Sequence, residues 1–87
     1  MFWSAVSETI ENMDPVPVDS TLLLWVGYSP RQQCLRLKFR SGEIYDYFQV
    51  PESVCQALLA AESKGRYFNH HIRDVFPTQR LRTGVAT

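Results

Sequence analysis

An α+β fold, in which a three-stranded antiparallel meander is covered on one face by two C-terminal helices, is what this sequence predicts. Three observations carry the prediction. Residues 33–40 alternate strictly, with Leu35, Leu37 and Phe39 on one side and Arg36, Lys38 and Arg40 on the other, the signature of a half-buried strand. Short turns, Ser29-Pro30 before that run and Ser41-Gly42 after it, separate it from apolar runs at 21–28 and 44–48, so the three strands pair as neighbours. After Pro51 the period changes: Val54, Cys55, Leu58, Leu59 and Ala61 fall at helical spacing. A chain of 87 residues forms one domain.

Upstream of the strands, Trp3, Val6, Ile10 and Met13 form a 3-4-3 stripe with Ser7, Glu8, Glu11 and Asn12 between them, an amphipathic helix of about three turns. The segment 1–14 is acidic, and on its own such a helix is marginal in water. Residues 14–19, Asp-Pro-Val-Pro-Val-Asp, are held extended by two prolines and read as a linker or an edge segment.

The second hairpin has two available registers, and a slip of one residue reverses every side chain. A two-residue turn would set Lys38 against Tyr45 and Arg36 against Tyr47, exposing both tyrosines and sending Asp46 toward the core. A three-residue loop with Gly42 left-handed and a G1 bulge would set Leu37 against Tyr45, Leu35 against Tyr47 and Arg36 against Asp46, with that last pair on the wet face. A buried lone carboxylate is costly and a cross-strand Arg–Asp pair is favourable, so the bulge is preferred, with Tyr45 and Tyr47 lining the core.

Pro51 suits the first position of a helix, which ends near Glu62. Ser63 caps a second helix, Gly65 relieves crowding at the corner, and Phe68, Ile72 and Val75 form its core side as far as Asp74, before Pro77 stops it. Residues 15–80 thus form the domain, and 81–87 read as a disordered tail.

Formal charge is zero but unevenly spread: residues 1–19 carry −4, and residues 20–87 carry +4. Cys34 and Cys55 lack metal or redox spacing; they read as two thiols in a reducing compartment in preference to the alternative of a lone disulfide between them. The N-terminus has no basic n-region or long apolar run, and no stretch reaches the ~20 apolar residues of a membrane span, so a soluble cytoplasmic protein is expected.

The chemistry on offer is concentrated at the second corner. Lys64 flanks a helix N-terminus, and Arg66, His70 and Arg73 follow at i, i+4 and i+7, a cationic stripe suited to phosphates, beside which Tyr67 offers a ring for stacking on a base. The same residues also describe the ordinary solvated face of an amphipathic helix. Tyr45 and Tyr47 match a stacking platform on a sheet, or packed core residues. Asn69 reads as a ligand-binding residue or, in preference, as one whose internal hydrogen bond fixes the corner. Catalysis has weak support: His70 and Asp74 stand at i, i+4 with Ser63 nearby, but there is no nucleophile elbow and no carboxylate pair. His70 and His71 point about 100° apart on a helix and do not converge on a metal. No enzyme activity, cofactor or metal is expected.

The order Val26-Gly27-Tyr28, Pro30, Leu35-x-Leu37-x-Phe39-x-Ser41-Gly42, Tyr45-x-Tyr47-x-x-Val50-Pro51, Leu58-Leu59, Ser63-x-Gly65-x-Tyr67-Phe68-Asn69-x-x-Ile72-Arg73 resembles the KTSC domain. That domain is named for its place at the C-terminus of some lysyl-tRNA synthetases, and also occurs as a small bacterial protein. The resemblance spans about residues 16–80; Cys55 stands where an aromatic is common, and segment 1–14 lies outside the pattern. Tyr45, Tyr47, Tyr67, Phe68, Asn69, Ile72 and Arg73 are the motif residues it implies. It also implies a non-catalytic accessory module, with RNA as the conjectured partner. The alternative from the residues themselves is a protein-interaction module that uses the Phe2/Trp3/Val6/Ile10/Met13 stripe. In that alternative the stripe recruits a partner helix or a second copy; a monomer is preferred over an oligomer, and no membrane contact is expected.

Overall fold

The structure, a computed structural model, describes residues 14–81. Its elements in chain order are β1 (Val16–Pro17), β2 (Leu23–Ser29), β3 (Cys34–Phe39), β4 (Ile44–Tyr47), α1 (Glu52–Ala60), α2 (Lys64–His71) and β5 (Thr78–Leu81). They form one antiparallel sheet in the order β1-β2-β3-β4-β5, with both helices on one face. The α+β class holds, but the sheet has five strands where three are expected. The added strands are the borders. Val16 and Pro17 pair with Val26 and Trp25, which makes the 14–19 segment an edge strand. Thr78–Leu81 returns to pair with β4 and extends one residue past the expected end of the domain. The N-terminal amphipathic stripe and residues 82–87 lie outside the described residues.

The second hairpin takes the bulged register. Leu35 opposes Tyr47, Leu37 opposes Tyr45 and Arg36 opposes Asp46. Gly42 donates from its N–H to the Phe39 carbonyl at 2.8 Å, Phe39 N–H donates to Glu43 at 2.9 Å, and Gly42 has φ +103°, a conformation that a residue with a Cβ rarely adopts. Sheet alternation then sorts the side chains. Leu23, Val26, Leu35, Leu37 and Tyr47 meet Cys55, Leu58, Phe68 and Ile72 in one buried cluster. Complete burial of a Leu-sized side chain stabilises by roughly 1.5–3 kcal/mol, so this layer dominates the stability. Two edge-on ring contacts tie α2 to the sheet, Phe39–Phe68 at 5.4 Å and Tyr47–Phe68 at 5.7 Å, and a third, Phe39–Tyr45 at 5.6 Å, links β3 to β4 beside them. The Tyr28 hydroxyl donates to the Val50 carbonyl, closing the far end of the layer.

Two helix boundaries differ from expectation. Pro51 is the N-cap, not the first helical residue, with φ −66° and ψ 152°. α2 ends at His71 and not at Asp74. The N–H groups of Ile72 and Arg73 both donate to the Phe68 carbonyl, at 3.0 and 2.8 Å, and Asp74 turns left-handed at φ 61°. That turn carries Val75 outward, leaving it 58% exposed where a core position is expected, and Phe76 packs against the cluster in its place. Ile72 is fully buried, as its spacing requires. Gly65 has an ordinary backbone: a Cβ there would meet Leu22 at 3.4 Å, so the corner is not crowded enough to demand glycine.

Candidate nucleic-acid interface

The cationic corner starts at the α1–α2 connection. Ser63 is extended, with φ −111°, and its hydroxyl accepts from Arg66 N–H at 3.3 Å, so it caps α2 as its residue type predicts. Ser63→Ala removes the cap's acceptor, and a loss of about 1 kcal/mol is expected from urea unfolding, with Ser63→Thr largely restoring it. The Lys64 ammonium donates to the Ala61 carbonyl at 2.9 Å and so closes the C-terminus of α1. Lys64 is thus half-buried and engaged in the corner itself, with only part of its donor capacity left for a ligand.

In front of α2 lies an open cleft of about 540 Å³ lined by Asp19, Ser20, Thr21, Arg40, Glu62, Ser63 and Lys64. Arg40 Nε donates to the Ser20 carbonyl at 2.6 Å across it. Two acids and two bases share this cleft, so it is balanced in charge and does not concentrate anions at the helix N-terminus.

Positive charge is less compensated further along α2. Arg66, His70 and Arg73 are all exposed, and none has an acidic partner among the described residues. Arg73 sits just past the helix end, yet its guanidinium stays on the stripe by donating to Asn69 Oδ1 at 3.5 Å. Asn69 is therefore a surface acceptor for Arg73, and no bond from it to the corner is present among the described residues. Tyr67 is half-buried against the core, and its ring lies 4.4 Å from that of His71, tilted by 32°, so one face is already covered. His70 and Asp74 no longer share a helix face, since Asp74 is beyond the helix.

Tyr45 and Tyr47 point into the helix-covered layer, Tyr47 only 5% exposed and Tyr45 half-buried. Burial pushes the Tyr47 hydroxyl above its ordinary pKa, the Thr78 hydrogen bond acting the other way. They are core residues with no open stacking platform. The remaining motif residues Phe68 and Ile72 are likewise core. Elsewhere the arginines are engaged: Arg36 grips Asp46 with two bonds, Nε–Oδ1 at 2.6 Å and Nη2–Oδ2 at 2.9 Å, and Arg80 meets Glu43 at 3.0 Å.

Cys34 and Cys55 are free thiols, both buried. Burial first, and then the Asp46 charge, pushes the Cys34 thiol up to about 11. Burial, and then Glu52, does the same for Cys55, again to about 11. Both are protonated and weakly reactive at neutral pH. Among the described residues there is no group of His, Cys, Asp and Glu side chains placed to hold a metal, and no helix long and apolar enough to cross a membrane.

Comparison with known proteins places this geometry. The family model of the KTSC domain matches residues 19–76. A Stutzerimonas stutzeri protein described as uncharacterized is 46% identical over 70 residues, covering 80% of this chain and 93% of that one. A lysine–tRNA ligase from a Nostoc species is 46% identical over 54 residues, covering 62% of this chain but only 10% of the ligase. The crystal structure of a KTSC domain protein from Yersinia pestis aligns with a TM-score of 0.77 at 36% identity, over 79% of this chain and 97% of that one. The tyrosine hairpin and the Ser-x-Gly-x-Tyr-Phe-Asn helix both fall within the matched residues, and this chain belongs to the KTSC domain family.

Proposed function

We propose that this domain is a non-catalytic accessory module that binds nucleic acid, RNA above all, through the exposed cationic edge of α2. Arg66, His70 and Arg73 contact phosphates, and Lys64 adds its remaining donors at the start of the stripe. The observation that supports this reading most is the contrast among the arginines. Arg36 and Arg80 are neutralised by carboxylates, whereas Arg66 and Arg73 face solvent with no acid of the described residues against them. A match to a region of a protein named for tRNA puts RNA ahead of DNA as the ligand.

Three or four phosphate contacts on a flexible strand give weak, salt-sensitive binding, with a log–log slope of about −2 to −3 for single strands. Titration with single-stranded RNA, duplex RNA and DNA at low salt is expected to show micromolar or weaker binding that fades as salt is added. In Arg66→Ala/Arg73→Ala the slope should flatten by about 1.4, the share of two single-strand contacts, while the unfolding transition stays in place. No shift with any of the three ligands at high micromolar protein would reject the reading.

A further inference from the structure

The sheet's second face carries a buried polar cluster that no described strand or helix covers. Alternation sends Ser29, Cys34, Arg36 and Asp46 to the side away from α1 and α2. Ser29 and Cys34 are each 3% exposed, Asp46 is 6% exposed, and the Arg36 side chain keeps only 16% of its surface. A bare sheet face leaves such groups wet. Beside them runs a cross-strand row, Pro17, Trp25, Lys38, Ile44 and Leu81, one residue from each of the five strands. The row is apolar except for Lys38, which has no acidic partner among the described residues.

We propose that the N-terminal segment, residues 2–13 of this same chain, docks as an amphipathic helix on this second face and seals the Arg36–Asp46–Cys34 cluster from water. The inference is independent of the nucleic-acid reading, since it concerns the opposite side of the sheet. Three features choose this occupant over others. The first is length: Trp3 to Met13 at 1.5 Å per residue spans about 15 Å, and five strands about 4.8 Å apart present a row about 19 Å long. The second is attachment. The described chain begins at Asp14, and Pro17 stands opposite Trp25 at one end of the row, so the segment is tethered within two or three residues of its seat. Such a tether makes docking an intramolecular event at high effective concentration. The third is charge: Glu8 and Glu11 flank the apolar stripe, and the face they would border offers Lys38, which has no acidic partner among the described residues.

Peptide-resolved thiol alkylation of the full chain tests this, because the two cysteines report on opposite faces. Cys34 lies under the proposed cover, and Cys55 lies on the buried face of α1, on the other side of the sheet. In Val6→Asp/Ile10→Asp the Cys34 rate at pH 8 should rise about tenfold or more while Cys55 keeps its rate, as expected when only a local cover is lost. Val6→Ala/Ile10→Ala should give the same contrast at about threefold, guarding against collapse of the charged variant. An unchanged Cys34 rate in both variants overturns the proposal. So does equal acceleration of both thiols in the alanine variant, which would make the segment a general brace. Protection of Cys34 that disappears on dilution also overturns it, by making a second copy the occupant.

Discussion

Phe68→Ala is expected to cost about 3–5 kcal/mol, enough to leave a domain of ordinary stability only marginally folded. Phe68 is 5% exposed and packs edge-on against both Phe39 and Tyr47, so truncation opens a cavity walled by two strands that cannot close onto a shortened helix. The loss exceeds that of a typical core leucine because two aromatic contacts go with the buried area. The residue also holds the end of α2, where its carbonyl accepts from both Ile72 and Arg73. Chemical denaturation gives the magnitude. Phe68→Leu, which keeps volume but not the ring contacts, should recover more than half of it. A loss below about 1 kcal/mol for the alanine variant would mean that α2 is not held to the sheet by this ring.

The second large effect is alkaline. Each thiol is held near 11 in the folded state against 9.0 for an unperturbed thiol. Between those values the unfolded chain gives up the two protons while the folded chain retains them, so the unfolded state binds fewer protons and stability falls as pH rises. The contribution is fully present below pH 9 and is lost by about pH 11. The difference corresponds to about 2.5 kcal/mol per thiol, or about 5 kcal/mol for both. Tyr28 and Tyr47, whose hydroxyls burial also raises, add to the same trend above pH 10. Urea midpoints should therefore be nearly flat from pH 7 to 8.5 and then drop steeply. Cys55→Ala should lower the midpoint at neutral pH and remove about half of the alkaline drop. A flat profile to pH 10.5 would show that the thiols are wetter than the packing implies.

The meander was written in the sequence because each of its signals was local. Strict alternation marked β3, and the cost of burying Asp46 alone selected the bulged hairpin, which in turn put Tyr45 and Tyr47 inward. Ser63 announced its cap in the same way. The border strands left no such trace. β5 is exposed at three of its four positions and carries no alternation, so only its return to β4 makes it a strand. Val75 sat at a helical repeat, and its outward turn depended on Asp74 going left-handed, which residue type does not dictate. Of the cationic site, the stripe was legible as spacing. The engagement of Lys64 with Ala61 and the acids around the helix N-terminus were not, because they arise from how α1 meets α2 and how the loop before β2 lies across that corner.

The two prolines of the β1 border carry a consequence for association. Val18 donates inward to Leu24 at 3.1 Å, so alternate backbone nitrogens, those of residues 15 and 17, face away from the sheet. Both are prolines and have no hydrogen to offer, so no incoming strand can find donors there. Among the described residues the only rim able to template another chain belongs to β5, and a sheet that can grow from one rim alone can join a twin about a two-fold axis but cannot propagate head to tail. Among the described strands, a pair of prolines thus closes the edge-to-edge route to an open-ended filament.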